Sequence, residues 1–110
     1  MYRQKTRSGS SGLNGIISIL DAALEFEFDP AKSAANKAKH GIDFVEAKQI
    51  WRDADRLEIP ARTLDEPRHQ VIGRIGEKTW SAFITYRNDK IRIISVRRAR
   101  ADEEARYLGD

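Results

Sequence analysis

The stretch from Arg68 to Arg98 constrains this chain most. It holds three segments rich in strand-forming residues, Arg68–Ile75, Trp80–Arg87 and Ile91–Arg98, joined only through Gly76-Glu77-Lys78 and Asn88-Asp89. Connections this short, built from turn-forming residues, fold straight back, so the three segments pair antiparallel as a meander. In the middle segment Trp80, Ala82, Ile84 and Tyr86 alternate onto one face. In the last, strict alternation places Ile91 and Ile93 on one face and Ile94 and Val96 on the other.

The residues upstream change period. Phe26-Glu27-Phe28 alternates as a half-buried strand does. Asp29 then offers an N-cap, Pro30 suits the first helical position and Gly41 offers a stop, which predicts a helix over 30–40. Ala31, Ala34, Ala35 and Ala38 form one stripe of small side chains, expected to pack closely on a neighbour. Asp43 with Glu46 resembles a capping box, Ile42 sits where a hydrophobic staple would, and Phe44, Ala47 and Trp51 are helically spaced. A second helix is therefore expected over 44–52. Arg56 to Ala61 predicts a short strand, placed at an edge by Pro60. Residues 99–108 close the chain as a helix with Ala99, Glu103 and Tyr107 on one face. The expected class is α+β: an antiparallel sheet with two N-terminal helices packed on it and a C-terminal helix, the helices segregated on one face. Residues 1–12 read as a flexible, basic, Gly/Ser-bearing leader and 13–24 as an apolar segment. The expected division is an extension over 1–25 and a domain over 26–110.

Composition narrows the chemistry. A chain of 110 residues is one domain. It has no cysteine, which excludes disulfides, thiolate metal sites and a cysteine nucleophile. Its two histidines, His40 and His69, leave any zinc site dependent on carboxylates, so no metal and no cofactor are expected. No apolar run approaches the roughly 20 residues of a membrane span, and the N-terminus lacks a secretory signal pattern; the expectation is a soluble, cytoplasmic domain. The net charge of +3 is unevenly placed, with residues 1–12 and 87–106 each carrying +3. That bias permits a polyanionic partner without requiring one. Gly73 and Gly76 make no phosphate loop, because no helix start follows them.

Three polar clusters remain. Lys32, Asn36, Lys39 and His40 recur along the first helix, opposite the alanines. Read alone, they describe a solvated helix face with its last-turn cations favoured by the helix dipole. Arg97, Arg98 and Arg100 end the last strand; Arg97 and Arg98 are neighbours on a strand, so only one of them can face a groove. Glu103 and Tyr107 lie on the last helix, where a tyrosine at that spacing reads first as a core aromatic with a wet hydroxyl.

Taken together, Phe26-Glu27-Phe28-Asp29, Lys32-x3-Asn36-x2-Lys39-His40-Gly41-Ile42-x-Phe44-x-Glu46-Ala47, Arg68-x3-Ile72-Gly73 and Arg92-Ile93-Ile94-Ser95-x-Arg97-Arg98-Ala99-x3-Glu103-x3-Tyr107 resemble the BrnT family. These are the toxin halves of bacterial type II toxin–antitoxin pairs. The resemblance covers residues 26–107 in order and spacing. It departs at Phe28, where the family usually has Trp, and residues 1–25 have no counterpart. It implies a RelE-like fold, a ribonuclease activity that inhibits translation, and neutralisation by a BrnA-like antitoxin carrying a ribbon-helix-helix DNA-binding segment. The expected assembly is a 2:2 heterotetramer that meets promoter DNA only through the antitoxin and involves no membrane.

Metal-independent RNA cleavage needs the 2′-hydroxyl deprotonated, the phosphorane charge stabilised and the 5′-oxygen protonated. In that scheme Arg97 or Arg98 clamps phosphate, Lys32, Lys39 and Arg68 supply positive field to bind substrate, and His40 is the best proton shuttle near neutral pH. Glu103 and Tyr107 are further catalytic candidates, whereas His69 has no family counterpart and reads as an ordinary strand residue. The alternative is a toxin that binds RNA, a ribosomal surface or another protein without cutting, since ParE-like relatives of the same broad fold act on gyrase.

Overall fold

The computed structural model describes residues 24–61 and 66–109. The expected leader over 1–12 and nearly all of the apolar segment over 13–24 lie outside the described residues. Asp29 and Gly41 set the limits of the first helix. The Asp29 carboxylate accepts from the Ala31 N–H, Pro30 opens the helix, and Gly41 ends it at φ 80°, a left-handed conformation that costs glycine nothing. Helix α1 spans Pro30–His40. The Asp43/Glu46 capping box forms in both directions and starts α2, Phe44–Ala47. The chain then tightens into a 3₁₀ turn, Lys48–Arg52, instead of continuing as the single helix expected over 44–52. That turn lays Ile50 against Gly73, where even a β-carbon would come within 2.8 Å of the Ile50 Cγ2.

Strands β1 (Phe26–Glu27), β2 (Leu57–Ala61), β3 (Arg68–Ile75), β4 (Lys78–Arg87) and β5 (Lys90–Arg98) form one sheet in the order β1-β5-β4-β3-β2. The meander from β3 to β5 is the one the short turns dictate, and β2, with its Pro60, is an edge strand. The sheet is mixed rather than wholly antiparallel: β1 runs parallel to β5, with Phe26 opposite Ile91. No hairpin joins these two strands, so nothing in the chain forces them antiparallel. Leu24 packs against the core and the Glu25 carbonyl accepts from the Ile91 N–H. Helix α3, Ala101–Leu108, follows β5. The class is thus mixed α+β, with a five-stranded sheet and three helices among the described residues. Among the described residues no helix is long and apolar enough to cross a membrane.

Three further sequence expectations need correction. The helices are not segregated on one face. Val71, Ala82, Ile84, Ile93 and Val96 pack under α2 and the 3₁₀ turn, while Ile72, Leu57 and Ile59 pack on the other side against Tyr107 of α3. The alanine stripe of α1 is its solvent side, and the buried residues are Ser33 and Asn36. A polar face is buried there because α1 lies along the edge of β5, whose backbone needs partners. The Asn36 amide donates to the Val96 and Ile42 carbonyls at 2.9 and 2.8 Å, and its oxygen accepts from the Val96 N–H at 3.1 Å. Ser33 accepts from the Phe44 N–H. Finally, strict alternation fails in β5. Phe83 pairs with Ser95 but Ile84 pairs with Ile93, so Ile94 is the extra residue of a bulge. Val96 thereby joins Ile91 and Ile93 in one core instead of facing away from them.

Candidate functional site

The bulge decides which arginine faces which way. Alternating from Ile93 without it, Arg97 would share the α2 side and Arg98 the α3 side. With Ile94 inserted the assignment is exchanged. Arg97 pairs with Ser81 on the α3 side, and Arg98 turns to the opposite face with its guanidinium 5.5 Å from the Trp80 ring centroid. The expectation that the two point to opposite faces of the sheet agrees with this placement.

On the α3 side, Glu103 gathers five donors. Arg97 reaches both its oxygens at 2.8 Å, Gln70 and the Arg100 N–H donate at 2.8 Å, and Ser81 donates at 3.0 Å. The Arg97 bonds first, then the Arg100 N–H, Gln70 and Ser81, hold the Glu103 carboxyl down at about 2, against the opposing effect of desolvation. The same pair raises the Arg97 pKa, so both groups are charged at any ordinary pH. Glu103 is therefore a poor proton acceptor as it stands: two of its hydrogen bonds hold the Arg97 fork, and three more tie it to Gln70, Ser81 and the Arg100 N–H.

Tyr107 is the core aromatic that its spacing suggested, with its hydroxyl bonded inside the protein. It is buried, and its hydroxyl donates to Asp53, whose second oxygen accepts from the Asp55 N–H. Burial first, then the Asp53 bond, pushes the phenol well above its usual range. Asp53 also accepts from the Arg74 N–H, and the Arg74 guanidinium lies over the Tyr107 ring. Tyr107 latches α3 to β3 and to the end of the 3₁₀ turn.

Beside Arg97 a groove of about 530 Å³ crosses the part of the sheet that α3 leaves open. Arg68, Arg97 and Arg106 supply its cations, with Phe83, Ile94 and Ser95 among the strand residues lining it. A larger hollow of about 640 Å³ involves the opposite face, lined by Glu25, Glu58 and Asp89 against Arg56. That acid excess suits a polyanion poorly. His69 lies near it on β3, with Nδ1 3.3 Å from Glu58, and Glu58 also accepts from the Tyr86 hydroxyl at 2.7 Å.

The structure thus gathers Arg68, Arg97, Glu103 and Tyr107 on one side of the sheet. It does not bring the remaining candidates to them. Lys32 and Lys39 are exposed on α1, His40 is half-buried at its end, and among the described residues no hydrogen bond or ion pair joins these three to Arg97 or Glu103. Asn36 is a structural clamp, not part of a solvated face. Gln70, Ser81, Phe83, Arg106 and Asp53 escaped the sequence reading. The signal for Ser81 and Phe83 lay in the unused alternation of β4, where Thr79, Ser81, Phe83 and Thr85 mark a second, mostly polar face. Among the described residues no three His, Asp or Glu side chains come together as a metal-ligand set.

One family model matches the chain, over residues 28–103, and it describes the ribonuclease toxin BrnT of type II toxin–antitoxin systems. No curated protein matches the sequence.

Proposed function

The chain belongs to the BrnT family of ribonuclease toxins of type II toxin–antitoxin systems, and from that premise we propose that it is a metal-independent endoribonuclease that inhibits translation, working at the groove beside α3. The observation that carries this reading is Arg97, held by a two-pronged bond to Glu103 at the wall of a groove that also presents Arg68 and Arg106. A guanidinium fixed in advance stabilises charge on a phosphorane without reorganising as the charge develops. The 2′-oxygen attacks phosphorus and loses its proton. The bond from phosphorus to the 5′-oxygen breaks and that oxygen gains a proton, leaving a 2′,3′-cyclic phosphate and a 5′-hydroxyl.

Arg68 and Arg106 bind flanking phosphates. Lys32 and Lys39 extend the positive field along α1, and His40, at the end of that helix, is the proposed proton-transfer group. The test is incubation of the purified toxin with RNA in excess chelator. Cyclic-phosphate ends support the reading, and RNA left intact both free and on ribosomes overturns it.

One observation favours a second reading, a toxin that binds without cutting. Glu103 and Tyr107, two of the catalytic candidates, are committed to structural bonds. The same experiment separates the two, because a pure binder shifts RNA without producing new ends.

Membership in a type II family implies an antitoxin partner. We assign that role to a BrnA-like protein in a 2:2 complex, cytoplasmic, reaching promoter DNA only through the antitoxin. The RelE-like fold and a toxin domain over 26–110 preceded by an extension over 1–25 belong to the same proposal.

A further inference from the structure

Resting on the reading that the groove takes RNA, we infer that it seats one unpaired nucleobase against Phe83, so that the toxin selects single-stranded over duplex RNA. Phe83 is out of place as a core residue. Its neighbours Ala82 and Ile84 point into the buried core, while the side it occupies otherwise carries Thr79, Ser81 and Thr85. It is half-buried, and it lines the groove between the register partners Gln70 on β3 and Ser95 on β5.

The Arg97 guanidinium lies over the Phe83 ring, 5.2 Å from its centroid, and is held by its two bonds to Glu103. A phenyl ring and the guanidinium fixed over it form one stack, which a base extends by lying against whichever of their planes faces the groove. Ile94, displaced by the bulge, adds an apolar wall. Ser95 also lines the groove, and among the described residues its hydroxyl, unlike its backbone, has no hydrogen-bond partner, which leaves it for a base edge. Arg68 and Arg106 sit where the phosphates on either side of a seated base need cations. A base within a duplex is stacked on both sides and must be unstacked before it can enter, at a cost of a few kcal/mol.

The probe is a short 2′-O-methyl oligonucleotide carrying one 2-aminopurine, which keeps bases and phosphates but removes the attacking hydroxyl. Binding is followed by quenching of the 2-aminopurine fluorescence. Wild-type protein should quench it and bind the single strand at least tenfold more tightly than the same strand in a duplex. Phe83→Leu keeps an apolar side chain of similar bulk. It should lose the quenching and about tenfold in affinity, in line with the usual value of one stacked base. Phe83→Trp keeps a ring face and should retain both, which separates loss of stacking from damage to the fold. Absence of quenching by the wild type, unchanged quenching by Phe83→Leu, or equal affinity for the duplex overturns the base seat. Cleavage of natural RNA is scored separately, so a toxin that cuts without quenching loses this inference and keeps its ribonuclease assignment.

Discussion

Glu103 and Arg97 are coupled tightly enough for pH to report on them. The carboxyl is lowered from an ordinary 4.5 to about 2 in the folded chain. A depressed folded pKa contributes stability above the unfolded value and loses it as pH falls, here between about pH 4.5 and 2. After discounting for solvent screening, that contribution is on the order of 1–2 kcal/mol. Urea titrations of wild type and Glu103→Gln should therefore differ most near pH 6 and converge near pH 2. Parallel curves across that range would show that the pair does not hold the carboxyl down. The same variant leaves Arg97 charged but loosely held, and RNA cleavage should fall with little change in the shape of its pH profile. A large shift in that profile would return Glu103 to the role of proton shuttle that its sequence position suggested.

At the scale of elements, hydrogen bonds decided what periodicity could not. The Asp43/Glu46 capping box, the turns and the edge position of Pro60 were legible, because each depends on residues close in sequence. The buried side of α1 was not, since two of the three hydrogen bonds of Asn36 go to Val96, 60 residues away on β5. An alanine stripe reads as a packing face only until the neighbouring element asks for polar partners. Asn36→Ala strips partners from both backbone groups of Val96 and from the Ile42 carbonyl, and should cost about 3 kcal/mol. For a domain of this size the melting temperature should drop on the order of 10 °C. A drop of only a degree or two would mean that water replaces the amide at little cost. Tyr107→Phe removes the bond to Asp53, which keeps the Arg74 and Asp55 N–H groups, and should cost about 1 kcal/mol. Thermal melts of the two variants side by side rank the clamp above the latch, and the reverse order would contradict the account of α1.

Across the whole molecule, the sheet separates two surfaces of unlike charge. One bears the arginine groove beside α3, the other the acidic hollow around Glu58. The family was legible from sequence because its motifs are local, and the scatter of its charged residues over two faces was not. A single bulge residue, Ile94, carries that difference. No alternation pattern announces an inserted residue, so sequence could say that Arg97 and Arg98 part company but not which one enters the groove.

The central claim is that the Arg97 side of the sheet is where RNA is cut, and the rate of RNA cleavage by Arg97→Ala and Arg98→Ala, each verified as folded by its thermal melt, tests it most directly. The account predicts that Arg97→Ala slows cleavage by roughly 100-fold or more, as removal of a charge-stabilising donor does, while Arg98→Ala stays within a few-fold of wild type. The opposite order, with Arg98→Ala inactive and Arg97→Ala intact, would place the reaction on the other face of the sheet.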